Sequence, residues 1–495
     1  MNILEEKTLQ ERINIIREGM GNAQNIVVKN IIIGNEEPLE AAILYVNALA
    51  DKDIIDRDIL APLMLYVKED LHNKMDLSSY VCKKYIAMSN TVVEKDINKV
   101  MDAAKRGRTI VFLDNEEDYI VADTIDGIYR GVEEPQNESV IRGSKEGFTE
   151  NIETNISMIR RRVKDENLKV DIFTVGRRSQ TDLAVIYIGD IADKDIVNNI
   201  EKKIKNIDVD MIPAGNYIQQ FIEEKVYTVF PQMYTTERPD VVEAKIMEGR
   251  IAIIIENTPI VITAPTVIEE FFQTMDDYAQ RTTVATFYRV LRLTAIFITI
   301  TLPSIYLTFL RFNPELIPIK LYVPIVQSRI GIALSPFLEI LSMELIIEFL
   351  REGGLRLPSK IAQTMSVVGG IIIGDTAVKS KIVSPSTVLV IGITVVASFL
   401  IPNHDMSLGI RILRFPMLVL ANLMGILGIG IGWLIILVEL CSTDSFGVPY
   451  LQFKKGDMKD IFVRAPLFEM NNRPEAIPND NPVRQTDFRE KSRRK

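Results

Sequence analysis

The sequence predicts an α/β N-terminal region, divided into two subdomains, followed by an α-helical multi-pass membrane domain. Averages over all 495 residues conceal this division, because a quarter of the residues are charged and the net charge is only −9. The charge is concentrated in residues 1–250, whereas residues 290–440 contain long runs that are almost free of charge. Such an uneven distribution indicates a polar region joined to a lipid-embedded region.

Apolar runs rich in Ile and Val alternate with helical patterns through the first half of the chain. Ile152, Ile156, Ile159 and Val163 recur at helical spacing, as do the isoleucines of Asp193–Ile207. Alternating strands and helices predict α/β units, and the length favours subdomains at residues 1–135 and 136–265. The predicted strands are Ile26–Ile33, Ala42–Asn47, Thr109–Leu113, Tyr119–Ala122, Val170–Val175 and Ala184–Ile188.

Residues that carry catalytic or metal chemistry are sparse. Cys82 and Cys441 lie one in each half, so no disulfide framework is expected. His72 and His404 are far apart, and neither has Cys or carboxylate neighbours at metal-ligand spacing. The sequence shows no paired nucleophile and base. We therefore expect no enzymatic activity, no cofactor, no metal and no nucleic-acid partner.

A basic loop bounded by glycines lies between the two predicted subdomains and leads into a helix. It runs over Arg142–Glu150, and Arg160-Arg161-Arg162 follow it. Free N–H groups at such a helix start can hold an anion, although no Gly-Lys-Ser/Thr follows at the spacing of a Walker loop. The alternative is a structured loop beside a solvated basic helix face.

Two further segments lead to the membrane half. Arg250–Val261 consists of two apolar runs around a Pro-containing turn, which predicts a hairpin. Residues 266–292 carry Phe271, Phe272, Tyr278, Phe287 and Tyr288 among charged residues. We interpret them as a connecting amphipathic helix, either at the membrane surface or packed in the ordinary way.

The membrane domain is predicted over residues 293–440, with about four spans. Ile361–Thr376 is rich in glycine and reaches Asp375 after a short apolar core, so we interpret it as re-entrant or interfacial. Met1–Lys7 lacks the apolar core of a secretory signal, and the polar tail at 441–495, expected to be partly disordered, ends in basic residues. Both termini are therefore expected in the cytoplasm, which requires an even number of crossings. The predicted spans are Leu293–Leu310, Ile332–Leu350, Ser386–Ile401 and Phe415–Leu440.

Carboxylates within predicted spans are candidate functional positions, because they are costly in lipid and usually face protein or water. Glu344 and Glu348 lie four residues apart and share a helix face, whereas Glu339 lies well round from both. In an oligomer this face could form an acidic ring that favours cations, and Asp375 is a further candidate. Alternatively, the glutamates pair with Arg351 or Arg356, or the helix lies at the membrane interface.

Gly428 and Gly432 form a small-xxx-small pair in the last predicted span, a spacing typical of helix contacts. They are candidates for a contact between helices or between subunits.

Short strings of residues, in a fixed order along the chain, resemble the GerA family of spore germination proteins from about Ile26 to Tyr450. Its motif residues include Arg142, Gly143, Gly147 and Phe148, and then Glu237-Arg238-Pro239-Asp240. The other strings are Thr149-Glu150, Pro231-Gln232, Thr236, Glu248-Gly249-Arg250, Thr258-Pro259, Ala264-Pro265-Thr266, Met343-Glu344, Leu350–Pro358, Arg411–Pro416, Cys441-Ser442 and Ser445–Tyr450.

The resemblance implies a subunit of a spore germinant receptor in the spore inner membrane. Family A subunits work with a B-type transporter-like subunit and a C-type lipoprotein, and are proposed to oligomerise into a nutrient-gated ion channel that releases monovalent cations. The family also includes stage V sporulation protein AF, so an accessory membrane protein of that kind remains an alternative. A scaffold that organises partners without conducting ions is another.

Overall fold

The computed structural model describes residues 8–20, 25–34, 38–47, 49–72, 74–114, 116–126, 131–140, 142–356, 369 and 374–486. The chain forms two compact units, Met1–Tyr129 and Arg130–Lys495. The second unit contains both the second α/β region and the helical region, which the sequence analysis treats as separate domains.

The first unit is built on a five-stranded antiparallel sheet of order β1-β2-β4-β5-β3. Side chains of alternating residues point to opposite faces of the sheet. Thus Ala42 and Leu44 pack with α1 and α4, whereas Ala41 and Ile43 pack with the segment that follows β2. The strands are β1 (Ile26–Ile33), β2 (Leu39–Val46), β3 (Thr91–Glu94), β4 (Thr109–Leu113) and β5 (Tyr119–Ala122). The helices are α1 (Leu9–Gly19), α2 (Lys52–Ile54), the π-helical turns Ile55–Leu60 and Pro62–Tyr66, α3 (Leu77–Lys84) and α4 (Ile97–Lys105).

The second α/β region repeats this strand order, as β6-β7-β9-β10-β8, and its pairs are also antiparallel. One face packs on α5 and α8 and the other on α6 and α7. The predicted strands coincide with observed ones, and the predicted hairpin is formed by β9 and β10. The short strands β3 and β8 were not predicted from the apolar runs. The strands are β6 (Leu168–Val175), β7 (Thr181–Ile188), β8 (Tyr234–Thr236), β9 (Ile251–Ile255) and β10 (Val261–Ala264). The helices are α5 (Ile152–Arg162), α6 (Lys194–Lys205), α7 (Gly215–Ile222) and α8 (Pro239–Met247).

The connecting segment at 266–292 is not the single amphipathic helix that was expected; it is divided among two short helical pieces and the start of a long helix. A 3-10 turn (Ile268–Phe272) and helix α9 (Met275–Ala279) precede α10 (Thr282–Arg311), which continues through residue 292 into the apolar stretch. Local caps cause the breaks: the N–H of Val267 donates to Glu270, and the N–H of Thr274 donates to Asp277. Each cap begins a new helix instead of extending the previous one.

The helical region contains six further helices in its described part. Within that part, α10 and α15 are long and apolar enough to cross a membrane, and α14 and α16 are apolar but shorter. The helices are α11 (Ile319–Ser328), α12 (Pro336–Leu355), α13 (Gly374–Lys379), α14 (Pro385–Ser398), α15 (His404–Met424) and α16 (Ile426–Cys441).

The single span predicted at Phe415–Leu440 is wrong, because the chain reverses at Gly425. There φ is +61° and ψ is −135°, a conformation that residues with a Cβ rarely adopt. The residues on either side form the helical hairpin α15–α16, in which Gly432 lies next to Met417. The turn packs on Phe312, just beyond the end of α10.

Two ends of the helix bundle can be distinguished. At the proximal end, Asp405 of α15 accepts a hydrogen bond from Thr235 (3.0 Å), and Glu439 of α16 accepts one from Thr228 (2.8 Å). At the distal end, Arg311 of α10 donates to Asn422 of α15. Helices α10 and α15 therefore run from proximal to distal, and α16 returns.

Helices α12 and α14 both run from distal to proximal. Their distal starts are joined because Glu339 accepts a hydrogen bond from the N–H of Ser384 (2.6 Å). Near their proximal ends, Arg351 donates to Ser398 (2.6 Å). Most of Ile361–Thr376, the predicted re-entrant segment, lies outside the described residues.

The tail, expected to be partly disordered, is folded through residue 486 and packs on the second α/β region. Tyr450 is completely buried, and Ile477 enters the core beside α6. Ala192 and Asn479 form a β-bridge, and Gln232 accepts a hydrogen bond from Ser445 (2.7 Å). The tail's elements are β11 (Asp444–Ser445), β12 (Val448–Pro449), α17 (Met458–Ile461) and a 3-10 turn (Leu467–Glu469). Its basic terminus, 487–495, lies outside the described residues.

Candidate functional site

A buried charge cluster joins α12 to α15 in the middle of the helix bundle. The Arg414 guanidinium lies 2.7 Å from a Glu344 carboxylate oxygen, and both side chains are only 2% exposed. Arg414 also donates a hydrogen bond to Glu348. Arg411 and Arg351 lie 3.7 and 3.6 Å from Glu348. Helical spacing explains this arrangement, because residues three or four apart share a face.

The cluster is incompletely satisfied. It contains three arginines and two glutamates, so its formal charge is +1. Neither oxygen of Glu344 has a hydrogen-bond partner, and Nε of Arg414 is likewise unpaired. The contact between Glu344 and Arg414 is therefore electrostatic rather than a well-directed hydrogen bond. Burying charged groups whose hydrogen-bonding capacity is unmet costs free energy. A change in the packing of α12 against α15 would therefore alter the contact between Glu344 and Arg414.

Glu339 belongs to a different, distal site. Its fully buried carboxylate pairs with Arg329 and accepts hydrogen bonds from the N–H and hydroxyl of Ser384, both at 2.6 Å. Ser386, two residues on, lies 2.8 Å from the hydroxyl of Tyr306 on α10. Glu339 thus ties three helices together at the distal end.

Asp375 is not brought to either glutamate site. It lies on α13 and pairs with Lys379, one turn later, at 2.6 Å, and its side chain is 55% exposed. An exposed pair of this kind contributes little to stability.

The two glycines singled out by spacing lie at the α15–α16 contact within the chain. A Cβ at Gly428 would collide with the carbonyl oxygen of Leu420, and one at Gly432 would lie 2.6 Å from the sulfur of Met417. Glycine at these positions allows the two helices of the hairpin to approach closely.

The family-motif residues come together although roughly ninety positions separate their two halves. The N–H of Phe148 donates to the carbonyl oxygen of Glu237 (2.9 Å). The Glu237 carboxylate accepts from the N–H groups of Gln136 (2.9 Å) and Asn137 (3.2 Å). Phe148 is buried in the core between α5 and the sheet. The motif fastens residues 131–140 and 142–149 to the start of α8.

Arg238 is the centre of this motif. Its buried guanidinium donates to the carbonyl oxygens of Glu138 (3.1 Å) and Ser144 (3.2 Å) and pairs with Asp240 at 2.6 Å. Pro239 supplies the first residue of α8, where a missing N–H is tolerated.

The remaining motif residues have distinct roles. Gly147 allows close backbone approach, because a Cβ there would lie 2.9 Å from the carbonyl oxygen of Glu133. Gly143 has φ +146°, and Arg142 is exposed. Among the charged residues of the motif, Arg142 is exposed, Glu237 and Asp240 are half-buried, and Arg238 is buried.

The basic loop does not form an anion site. The N–H of Ile152 at the start of α5 donates to the carboxylate of Glu256 (2.8 Å), which occupies the position an anion would take. Arg161 and Arg162 both pair with Glu146, at 2.6 and 2.8 Å. The structured-loop interpretation therefore fits.

Sequence reasoning missed a buried charge cluster in the second α/β region. Glu270 pairs with Lys245 and lies 2.6 Å from Arg250, and all three are at least 90% buried. Burial alone would raise the pKa of Glu270, but Arg250 and Lys245 lower it to about 2. The string Glu248-Gly249-Arg250 carries part of this cluster, but nothing in its spacing reveals the partner on the 3-10 turn.

A cavity of about 460 Å³ opens beside this cluster, between α8, α9 and residues 456–484 of the tail. Its lining includes Glu269, whose inner carboxylate oxygen has no hydrogen-bond partner. Burial raises the pKa of Glu269 to about 7. This carboxyl group therefore titrates near neutral pH.

Comparisons with known proteins agree with the resemblance. The family model described as the Bacillus/Clostridium GerA spore germination protein matches residues 14–476. Spore germination protein KA of Bacillus subtilis (strain 168) is 34% identical over 98% of this chain and 89% of that protein. Spore germination protein B1 of the same organism is 31% identical over 97% and 99%. The membrane protein YfkQ of Bacillus subtilis (strain 168) is 36% identical over 95% of this chain and 91% of that protein.

A solved structure also matches part of the chain. It is the crystal structure of the N-terminal domain of the A subunit of the Bacillus megaterium spore germinant receptor GerK3, 31% identical. The match covers 53% of this chain and 96% of that one, with a TM-score of 0.23. Because the family model matches almost the whole length, the chain belongs to the GerA family of spore germination proteins.

Proposed function

We propose that this protein is the A subunit of a spore germinant receptor, held in the spore inner membrane by its helical region. The family match and the names of its relatives support the role in germination. The observation that carries the membrane part is the arrangement of apolar helices whose two ends rejoin one polar α/β region.

The crossings are even in number in this proposal. Helix α10 leaves the second α/β region, and α16 returns to it, where Ser442 accepts a hydrogen bond from Lys225 (2.8 Å). Among the described residues, helices α10, α12, α14, α15 and α16 are the candidate crossings. Both the second α/β region and the tail then face the cytoplasm, as the basic terminus favours.

Ion conduction is the activity that the charge cluster supports best. Glu344 and Glu348 are held by Arg414 within one subunit, so an acidic pore needs this contact to open. We infer that subunits assemble around an axis, and that nutrient binding by a B-type partner shifts α12 relative to α15. The released carboxylates then favour cations along the axis.

The decisive experiment is cation flux from liposomes that contain the assembled receptor, with B-type and C-type subunits, before and after nutrient addition. Glu344→Gln and Glu348→Gln should change the flux or its cation selectivity, and Glu352→Gln, on the exposed end of α12, should not. Unchanged flux in both glutamine variants would remove these residues from the pore.

A non-conducting scaffold, including an accessory protein like stage V sporulation protein AF, is the second candidate. It is favoured because both glutamates form ion pairs with arginines of the same chain. Neither carboxylate in this cluster therefore lacks a counter-charge. A scaffold should still co-purify with B-type and C-type partners, yet tolerate both glutamine substitutions and pass no cations.

A further inference from the structure

Exposed apolar side chains gather around α17, in the tail beside the proximal end of the bundle. Phe453 is 58% exposed, Phe462 40% and Val463 56%. The rings of Phe453 and Phe462 stack, with centroids 6.2 Å apart and planes at 22°. Two aromatic residues nine positions apart thus form one outward-facing apolar surface.

The position of this surface along α10 is fixed by hydrogen bonds. The N–H of Arg464 donates to the hydroxyl of Thr286 (3.2 Å), and its guanidinium donates to Thr282 (3.2 Å). Asp460 pairs with Arg289 at 2.8 Å. The tail segment therefore lies along the first turns of α10, just before the charge-free stretch that begins at Leu293.

The neighbouring surface of α10 is also apolar. Phe287 is 64% exposed and Val290 51% exposed, on the turns that carry Thr286 and Arg289. The tail segment thus lies along a helix that carries exposed apolar side chains of its own and is long and apolar enough to span a membrane.

The exposed charges of the segment are basic. Lys454, Lys455 and Lys459 are exposed beside the aromatic rings. The carboxylate of Asp457 is turned inward and accepts hydrogen bonds from the N–H groups of Glu475 and Ala476, both at 2.8 Å. Aromatic and aliphatic side chains flanked by lysines are the combination that binds an anionic membrane surface.

We propose that residues 453–463 form an interfacial anchor that docks on anionic lipid headgroups of the membrane crossed by the helical region. The proposal rests on the membrane part of the proposed function. The anchor fixes the tail, and with it the wall of the Glu269 cavity, at the membrane surface. The aromatic rings enter the headgroup layer, and the lysines meet lipid phosphates.

Depth-dependent fluorescence quenching in the full-length protein tests this placement. The chain has a single tryptophan, so Trp433→Phe gives a silent background. In nanodiscs containing phosphatidylglycerol, Phe462→Trp should be quenched more by lipids brominated near the headgroup than by lipids brominated near the chain end. Ile172→Trp, an exposed position on β6, should not be quenched by either lipid.

A second reporter separates the anchor from the membrane spans. Leu434→Trp, exposed on α16, should be quenched by lipids brominated near the chain end. Quenching at position 434 without quenching at 462 overturns the anchor and leaves the spans intact. No quenching at either position overturns the membrane part of the proposed function. A third outcome is tryptophan emission at position 462 that changes with the number of subunits per nanodisc but not with lipid bromination. That result assigns the surface to a second copy of the chain and also overturns the anchor.

The charge requirement is tested with a matched pair of reversals. In the Phe462→Trp reporter, Lys454→Glu with Lys455→Glu should reduce quenching by at least about twofold in anionic nanodiscs and leave it unchanged in neutral ones. Lys194→Glu with Lys202→Glu, exposed on α6, makes the same charge change away from the anchor and should have no effect. Equal quenching in all three proteins would exclude recognition of anionic headgroups.

Discussion

The carboxylate of Glu344 and the guanidinium of Arg414 face each other at 2.7 Å between α12 and α15, with both side chains almost completely buried. Glu348, one turn along α12, contacts the same arginine. The arginine therefore neutralises the acidic face that could otherwise line a pore. Any opening of this face must separate two helices that are held by charge.

The first prediction concerns the strength of this contact. Arg414→Met should destabilise the protein by about 3–5 kcal/mol, because it leaves Glu344 buried without a counter-charge. Adding Glu344→Gln should recover a large part of the loss, since the uncompensated charge is then removed. Thermal unfolding of the purified protein in detergent, followed by circular dichroism, measures both effects.

A double-mutant cycle supplies the control. The coupling energy between Glu344 and Arg414 should be well above the few tenths of a kcal/mol found for independent sites. Additive losses in the two single variants would show that the residues do not interact in the folded protein.

The fold was largely predictable where periodicity is strong. The β strands with long Ile/Val runs coincide with those expected, because alternate residues must fill two opposite layers of core. The hairpin at Gly425 was not predictable, because apolar residues on both sides conceal the reversal. The glycines at 425, 428, 430 and 432 read equally well as one flexible span.

The candidate sites were predictable only in part. Spacing placed Glu344 and Glu348 on one helix face, but it could not reveal that Arg414, sixty-six or more residues away, lies opposite them. The tail illustrates the same limit. Its polar composition favours disorder, yet Tyr450 and Ile477 are buried against strands and helices hundreds of residues earlier. Such long-range contacts leave no local pattern.

The second prediction tests the hairpin contact. Gly428→Ala should destabilise the protein by about 1–3 kcal/mol, because the new Cβ collides with the backbone of Leu420 and the helices must separate. Gly430→Ala is the matched control, since a Cβ there meets nothing within 4 Å. The control should be neutral or slightly stabilising, because Ala favours a helix over Gly by up to about 1 kcal/mol. Equal melting temperatures for the two variants would refute the close approach of α15 and α16.

The third prediction is a pH dependence that originates at Glu269. Burial raises its pKa from 4.5 to about 7, so the folded state holds a proton that the unfolded state releases between these values. Stability from this group therefore falls as pH rises through that window and is constant above it. Glu269→Gln should be nearly neutral at about pH 4.5 and stabilising by on the order of 1–3 kcal/mol above about pH 7.

Melting temperatures across this pH range, compared with the parent protein, measure the effect. Glu166→Gln, which removes an exposed carboxylate, should leave the parent's pH profile unchanged. A difference between Glu269→Gln and the parent that does not grow with pH would place the titration elsewhere.

The fourth prediction separates the two arginines of the family motif. Arg238→Ala should destabilise the protein by about 2–4 kcal/mol, because the carbonyl oxygens of Glu138 and Ser144 lose their donor and Asp240 loses its counter-charge inside the protein. Arg142→Ala should change stability by less than about 0.5 kcal/mol, since its side chain is exposed. If Arg142→Ala instead abolishes germination without altering the melting temperature, Arg142 serves a partner rather than the fold. Equal losses of stability in the two variants would contradict the structural role assigned to Arg238.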